Sequence, residues 1–179
     1  MEMKIINEFL EFIKKRKSIR NFTDQKIGTS TIKEILKCGR WAPSGSNSQP
    51  WRISVVVHPT VKRMLSEKSK YREIIDSAYV IVVVFLDLER GYDRVKDIQA
   101  IGAFMQNILL GVHAQENLGA VWIGEILNRK EEVNEIFKFP PDKYELMGCI
   151  AIGVIDTVQE EKNEKSRKRR PLESFMDWY

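Results

Sequence analysis

Residues 42–51 have the sequence APSGSNSQPW. The two prolines restrict the backbone, the hydroxyl and amide side chains offer hydrogen bonds, and Gly45 allows a ligand to approach the main chain closely. Residue types at this density are typical of a rigid loop that holds a ligand. The alternative is an ordinary connector between two core tryptophans, Trp41 and Trp51.

A second group with chemical potential is Arg16, Ser18 and Arg20, in which a hydroxyl lies between two guanidinium groups. Guanidinium groups bind phosphate oxygens bidentately, and hydroxyls add further donors. The basic run at residues 167–170 could converge with this group. The pattern indicates a phosphorylated ligand, and the alternative is a solvated helix end, where cations are also favoured.

Other kinds of site lack the residues they need. The chain has neither the glycine fingerprint of a dinucleotide-binding turn nor a P-loop. His58, His113, Cys38 and Cys149 have no zinc-site spacing, so we expect no metal, and the two cysteines are expected to be packing residues. With no Ser-His-acid arrangement in view, any reactive atoms are expected to belong to a cofactor.

Composition favours one intracellular domain. A chain of 179 residues, 43% hydrophobic, can bury a single core of ordinary size. Its 29 basic and 25 acidic residues are too evenly mixed to indicate nucleic-acid or membrane binding. The longest apolar run, residues 78–86, is far shorter than a membrane span, and no signal-peptide pattern is present. Two cysteines suit reduced thiols, so we expect a cytoplasmic protein.

Hydrophobic periodicity gives the expected elements. Helices are predicted near the N-terminus, from Thr31 with Glu34 as its capping-box partner, over residues 59–68, and after Asn128 with Glu131 as the partner. Strands are predicted over residues 52–57, 78–86 and 146–155, with a short extended segment at 119–125. The first helix is expected to pack by one apolar face, formed by Ile5, Ile6, Phe9, Leu10, Phe12 and Ile13.

Two segments suggest a second copy of the chain. A helix over residues 98–112 is apolar nearly all round, which favours a homodimer built partly on it; the alternative is a central helix in a monomeric core. The C-terminus ends in large apolar residues and is expected to dock, on its own chain or across a partner subunit. These residues are Leu172, Phe175, Met176, Trp178 and Tyr179.

The two chemical motifs resemble those of the FMN-dependent nitroreductase family. The segment RKSIRNF at 16–22 resembles the family's R-x-S-x-R-x-F opening, and residues 42–51 resemble its highly specific A-P-S-x-x-N-x-Q-P-W loop. Later landmarks follow in the family's order: QNILL at 106–110, WIG at 122–124 and RRPLE at 169–173. The resemblance covers nearly the whole chain.

The resemblance implies an α+β fold with a mixed, mostly antiparallel sheet flanked by helices, in an interlocked homodimer with FMN at the subunit interface. It implies one domain over residues 1–179, with a C-terminal arm at 171–179 docking on the partner. The FMN phosphate and ribityl end would be held by Arg16, Lys17, Ser18, Arg20, Arg167 and Arg169. The other subunit would supply Pro43, Ser44, Gly45 and Asn47, with Gln49 either a ligand or structural. The segment near flavin N5 would be Ile123, Gly124 and Glu125.

The resemblance also implies an activity. It is ping-pong hydride transfer from NADH or NADPH, through FMN N5, to an electron-poor acceptor such as a nitroaromatic or a quinone. No side chain is then expected to be catalytic. The alternatives are a specialised member that consumes flavin or dehalogenates with separately reduced FMN, and a non-catalytic protein that binds flavin or nucleic acid.

Overall fold

The structure is a computed structural model that describes residues 7–163 and 166–179. Within them the chain forms seven helices and four strands. The helices are α1 (Asn7–Lys15), α2 (Thr29–Arg40), α3 (Pro59–Ser66), α4 (Arg72–Ser77), α5 (Arg94–His113), α6 (Lys130–Phe137) and α7 (Thr157–Lys162). The strands are β1 (Trp51–Val56), β2 (Val80–Asp87), β3 (Leu118–Ile123) and β4 (Tyr144–Val154).

The sheet has the strand order β1-β2-β4-β3, and every pairing between the described strands is antiparallel. The expected parallel component is therefore not formed within the part of the chain that the structure describes. Strand β2 is buried from Val80 to Leu86, as its uninterrupted apolar sequence predicts for a strand covered on both faces. Gly148 of β4, with φ of 130°, lies opposite Val84 where the β2–β4 register shifts.

Helices cover both faces of the sheet. On one face, α2 and α5 pack through Ile35, Phe104 and Ile108 onto the side of β2 that carries Val82. On the other face, the buried residues of α3, α4 and α6 pack onto alternate β2 residues; they are Leu65, Ile75 and Val133. Because α5 is largely covered within its own chain, it is a central helix of the protomer core.

One side of α5 nevertheless stays uncovered. Val95 is 66% exposed and Ile98 is 39% exposed, and no atom of the described residues lies within 4 Å of the position that a Cβ would take at Gly102. In α1, Phe9, Leu10 and Ile13 are also exposed, so of its predicted apolar face only the half-buried Phe12 packs within the described chain, against His113. Ile5 and Ile6 lie outside the described residues. Two apolar surfaces of the protomer are thus left open.

Two predicted helix starts are wrong. Helix α2 begins at Thr29 after the N-cap Gly28, which makes no side-chain capping bond, so Thr31 and Glu34 do not form a capping box. Helix α6 begins at Lys130, and Asn128 lies inside the preceding 3₁₀ turn, Glu125–Arg129. Helices α4 and α7 were not predicted, because each is short and mostly polar in sequence.

The side chains of the C-terminal segment are largely exposed. After a 3₁₀ turn at Leu172–Ser174, the side chains of Phe175, Trp178 and Tyr179 are exposed. The apolar C-terminus therefore does not dock on the described part of its own chain. Among the described residues, no helix combines the length and the apolar character needed to cross a bilayer.

Candidate functional site

The segment that contains Arg16, Ser18 and Arg20 is fastened to the end of the sheet. Ile19 donates its backbone N–H to the carbonyl of Ala120 at 3.0 Å, and Phe22 forms a β-bridge with Ile155. Two glycines make room for this contact: a Cβ at Gly119 would lie 2.6 Å from Ile19, and one at Gly153 would lie 2.6 Å from Phe22.

Ile19 and Phe22 are consequently buried, while the polar residues between and before them line a cavity. This cationic cavity has a volume of about 660 Å³ and carries five cationic side chains and one carboxylate. The structure thus brings together the six residues expected at a phosphate end, although they come from opposite ends of the chain. The lining residues are Arg16, Lys17, Ser18, Arg20, Asn21, Glu160, Asn163, Ser166, Arg167 and Arg169.

Like charges converge in the cationic cavity. The pKa of the half-buried Arg16 guanidinium is lowered by burial and by the nearby charges of Arg167 and Arg169. Over residues 7–163 and 166–179, none of these three arginines has a carboxylate within 4.0 Å. Such an arrangement repels itself when empty and favours a bound anion, for which guanidinium groups are strong hydrogen-bond donors.

Arg167 also hydrogen-bonds to backbone carbonyls at the C-terminal end of α1. Its Nη1 donates to the carbonyl of Arg16 at 2.6 Å, and its Nη2 donates to the carbonyl of Lys14 at 2.9 Å. A cation at this position is favoured because the last carbonyls of a helix have no partner within the helix. Arg167 therefore holds the C-terminal end of α1, and with it Arg16, beside the cavity.

His113 supports the same helix end from α5. Its Nε2 lies 3.1 Å from the carbonyl oxygen of Phe12, and its ring centroid lies 4.7 Å from that of Phe12. Burial lowers the pKa of His113, the Phe12 carbonyl raises it, and Arg16 and Arg167 lower it further. Sequence reasoning missed this role because a lone histidine at the end of an apolar helix gives no signal of its contacts.

The loop at 42–51 is braced but strained. Ser46, Asn47 and Gln49 have positive φ angles of 51°, 53° and 50°, which are unfavourable for residues with a Cβ. Ser44 Oγ accepts the backbone N–H of Gln49 at 3.0 Å, and Gln49 Nε2 donates to the carbonyl of Asn47 at 3.4 Å. The side chain of Gln49 thus helps to hold the loop itself.

The tryptophans beside this loop behave differently. Trp51 stacks on Phe104 of α5 with ring centroids 5.0 Å apart, whereas Trp41 is 79% exposed. The alternative of a connector between two core tryptophans is therefore wrong. None of the loop residues expected to contact a ligand, Pro43, Ser44, Gly45, Asn47 and Gln49, lines the cationic cavity of the same chain.

The segment Ile123, Gly124 and Glu125 also lies outside the lining of that cavity. Ile123 is buried at the end of β3, while Gly124 is exposed, and no described atom lies within 4 Å of its would-be Cβ. The Glu125 carboxylate accepts from Ser69 Oγ at 2.7 Å and from the Lys70 N–H at 3.1 Å. The bond from Ser69 is the main cause of the lowered pKa of Glu125. Its side chain therefore anchors the α3–α4 turn and leaves the backbone at Gly124 accessible.

A metal site and a reactive thiol would each need particular side chains among the described residues. No group of three or more His, Cys, Asp or Glu residues there could hold a metal ion. Cys149 is fully buried in β4, and burial raises the pKa of its thiol to about 12, so it is a packing residue. Cys38 is exposed on α2 as a free thiol.

The helix-flanked antiparallel sheet and the convergent arginines define an α+β protein with a cationic cavity. Residues 13–70 and 57–154 match the model of the nitroreductase family. The chain belongs to the nitroreductase family, which confirms the resemblance of its two motifs.

Individual relatives agree over most of their length. A protein from Archaeoglobus fulgidus assigned as an NADH dehydrogenase/NAD(P)H nitroreductase is 31% identical over 151 residues, covering 83% of this chain and 86% of that protein. A protein from Desulfovibrio desulfuricans, assigned as a nitroreductase, was solved in complex with FMN. Its structure matches with a TM-score of 0.86 and 36% sequence identity, over 97% of this chain and 96% of that protein. The structure of a protein from Clostridium acetobutylicum, assigned as an NADH oxidase, matches with a TM-score of 0.75 and 30% sequence identity, over 82% of this chain and 88% of that protein.

Proposed function

We propose that this protein is an FMN-dependent NAD(P)H oxidoreductase that reduces an electron-poor acceptor such as a nitroaromatic or a quinone. The observation that carries the proposal is the convergence of Arg16, Arg167 and Arg169 on one cavity, with no carboxylate of the described residues within 4.0 Å of any of the three. A phosphate monoester would offset this repulsion. The similarity to proteins assigned as nitroreductases, one of them solved with FMN, supports the same conclusion.

The cationic cavity fits the phosphate and ribityl end of FMN. Arg16, Arg20, Arg167 and Arg169 supply guanidinium donors, Lys17 adds an ammonium group, and the Ser18 hydroxyl is a further donor. When bound, FMN supplies the redox chemistry, taking a hydride from NADH or NADPH at N5 and giving electrons to the acceptor in a ping-pong cycle. The protein itself binds and orients the reactants.

We propose that the site is completed by a second subunit. The loop residues Pro43, Ser44, Gly45, Asn47 and Gln49 do not line the cavity of their own chain, so they would serve the partner's flavin. The open faces of α1 and α5 and the uncovered C-terminal arm at 171–179 would be buried in this homodimer. Each chain would then be a single FMN-binding domain with a docking arm.

The segment after β3 would lie near the flavin ring. Gly124 is exposed with open space beside it, so a ring could approach the backbone of Ile123 and Gly124. Glu125 would fix this backbone through its bonds to the α3–α4 turn. Free thiols at Cys38 and Cys149 suit a reducing compartment, and we place the protein in the cytoplasm.

An anaerobic titration tests the activity. The purified protein should be yellow with bound FMN, and NADH or NADPH should bleach it stoichiometrically. Addition of a nitroaromatic or a quinone should restore the colour. A protein that does not take up added FMN would contradict the proposal, and FMN that is bound but not bleached by either nucleotide would favour a specialised member supplied with separately reduced FMN.

A further inference from the structure

Glu160 stands out because it is the one carboxylate among the described residues that line the cationic cavity. A negative charge beside a site for phosphate lowers the affinity for the anion by Coulomb repulsion. Glu160 lies on α7, a helix that the sequence did not predict. Its position therefore calls for a reason other than ligand contact.

The hydrogen bonds of Glu160 supply that reason. Its Oε1 accepts from the backbone N–H of Arg20 at 2.8 Å, from the backbone N–H of Asn21 at 2.9 Å and from Asn21 Nδ2 at 2.8 Å. In the opposite direction, the backbone N–H of Asp156 donates to the Asn21 carbonyl at 3.0 Å. Helix α7 and the segment that carries Ser18 and Arg20 are thus bound to each other in both directions.

This contact lies where the two halves of the cavity meet. Helix α7 ends at Lys162, and the chain after it carries Arg167 and Arg169. Arg167 returns to the carbonyl of Arg16, so the two halves are joined at a second point. Fixing α7 through Glu160 therefore also fixes the start of the segment that brings the C-terminal arginines to the cavity.

We propose that Glu160 is a positioning residue with two opposed effects. Its hydrogen bonds hold Arg20 and α7 in the geometry that forms the cationic cavity, while its negative charge weakens the binding of phosphate there. The inference rests on the proposed binding of FMN and names a residue that sets its strength. The two effects are separable, because one depends on the acceptor oxygen and the other on the charge.

Two substitutions separate them. Glu160→Gln keeps an Oε1 acceptor for the same three N–H groups but removes the charge. Glu160→Ala removes both the acceptor and the charge, and it leaves two backbone N–H groups without this partner. Glu161→Gln is the matched control, because it makes the same charge change at the neighbouring position of α7, which does not line the cavity.

The experiment measures the affinity of each refolded or deflavinated protein for FMN and for riboflavin, which lacks the phosphate. Glu160→Gln should bind FMN about threefold to tenfold more tightly than the wild type, with little change for riboflavin. Glu160→Ala should bind FMN about tenfold more weakly. The gain in Glu160→Gln should shrink in high salt, since salt screens the charge, and Glu161→Gln should remain close to the wild type.

Inorganic phosphate provides a second probe that does not depend on the flavin ring. Phosphate should raise the melting temperature of Glu160→Gln more than that of the wild type, and that of Glu160→Ala less. The inference is overturned if both Glu160 variants bind FMN and phosphate equally weakly, equally tightly or as the wild type does, or if Glu161→Gln gives the same gain. Failure of the wild type to bind FMN would contradict the proposed function, while the phosphate response would still decide the role of Glu160.

Discussion

The phenol ring of Tyr92 lies directly against the backbone of Gly45. A Cβ at position 45 would stand 2.2 Å from Cε1 and 2.3 Å from the hydroxyl oxygen of Tyr92, closer than any real contact. Tyr92 is held in turn by the buried Asp97, whose Oδ2 accepts its backbone N–H at 2.9 Å. The strained loop at 42–51 therefore has an external support from the start of α5.

Replacing Gly45 by alanine should displace this ring. We expect Gly45→Ala to lower the free energy of unfolding by about 1 kcal/mol, at the low end for overpacking because Tyr92 is half-exposed and can swing away. In a Tyr92→Ala background the same change should cost less, by at least about 0.5 kcal/mol. Urea unfolding of the four proteins measures this coupling. Gly124→Ala is the control, because no described atom lies within 4 Å of the Cβ that it adds. Equal costs of Gly45→Ala in both backgrounds would contradict the contact with Tyr92.

Arg16→Ala should weaken the binding of FMN without loss of the fold. A lost charge-assisted hydrogen bond of about 1.5–3 kcal/mol corresponds to roughly tenfold or more in affinity. Because Arg16 is repelled by Arg167 and Arg169, the flavin-free variant should be no less stable than the wild type. Isothermal titration with FMN and riboflavin checks this result. Arg40→Ala, an exposed change at the end of α2, controls for net charge, and an equal loss for riboflavin would refute a phosphate contact.

His113 should make the flavin-free protein less stable in mild acid. Its pKa in the folded protein lies below the ordinary value of 6.5, so the unfolded chain binds the proton more readily. The stabilisation from neutral His113 is therefore full above about pH 6.5 and is lost as the pH falls through the lower, folded-state pKa. His113→Gln should flatten the pH dependence of the free energy of unfolding between about pH 7.5 and 5.5. Parallel curves for the two proteins would rule out this contribution.

Gly102 tests the proposed dimer contact on α5. Its would-be Cβ meets no atom within 4 Å in the described part of the protomer, so Gly102→Leu should leave the protomer fold intact and favour the helix by roughly 0.8 kcal/mol. A partner packed closely at this position would be pushed away, so the variant should dissociate at concentrations where the wild type is dimeric. Light scattering coupled to gel filtration measures the mass, and Gly102→Ala is the smaller control. An unchanged dimer would place the interface elsewhere.

The place of β2 in the sheet could be predicted because the sequence of this strand is itself an uninterrupted apolar run. The apolar run of β2 has only one stable place, the middle of a sheet covered on both faces, and it lies there. The starts of α2 and α6 were not predictable from capping patterns. The carbonyl of Gly28 accepts the Ile32 N–H at 3.1 Å, so α2 begins before the capping-box pair at Thr31 and Glu34.

The candidate site was predictable in its local motifs and not in its supports. The spacing of Arg16, Ser18 and Arg20 predicts a phosphate site, because three candidate hydrogen-bond donors lie within five residues. Glu160 binds Asn21 across 139 positions of the sequence, and Tyr92 meets Gly45 only because α5 packs beneath the loop. No local pattern encodes such contacts, since they depend on how distant elements pack.

The arginine cluster also has a consequence for biosynthesis. Arg167 donates to the carbonyl of Arg16 across 151 positions, so at about 5–20 residues per second a ribosome makes the second half of the cluster roughly 8–30 s after the first. During that interval the growing chain lacks part of the proposed phosphate site. A chain that stalls or is cut before residue 167 would therefore gain little stability from FMN and stay exposed to proteases, whereas the cofactor would protect chains that carry both halves.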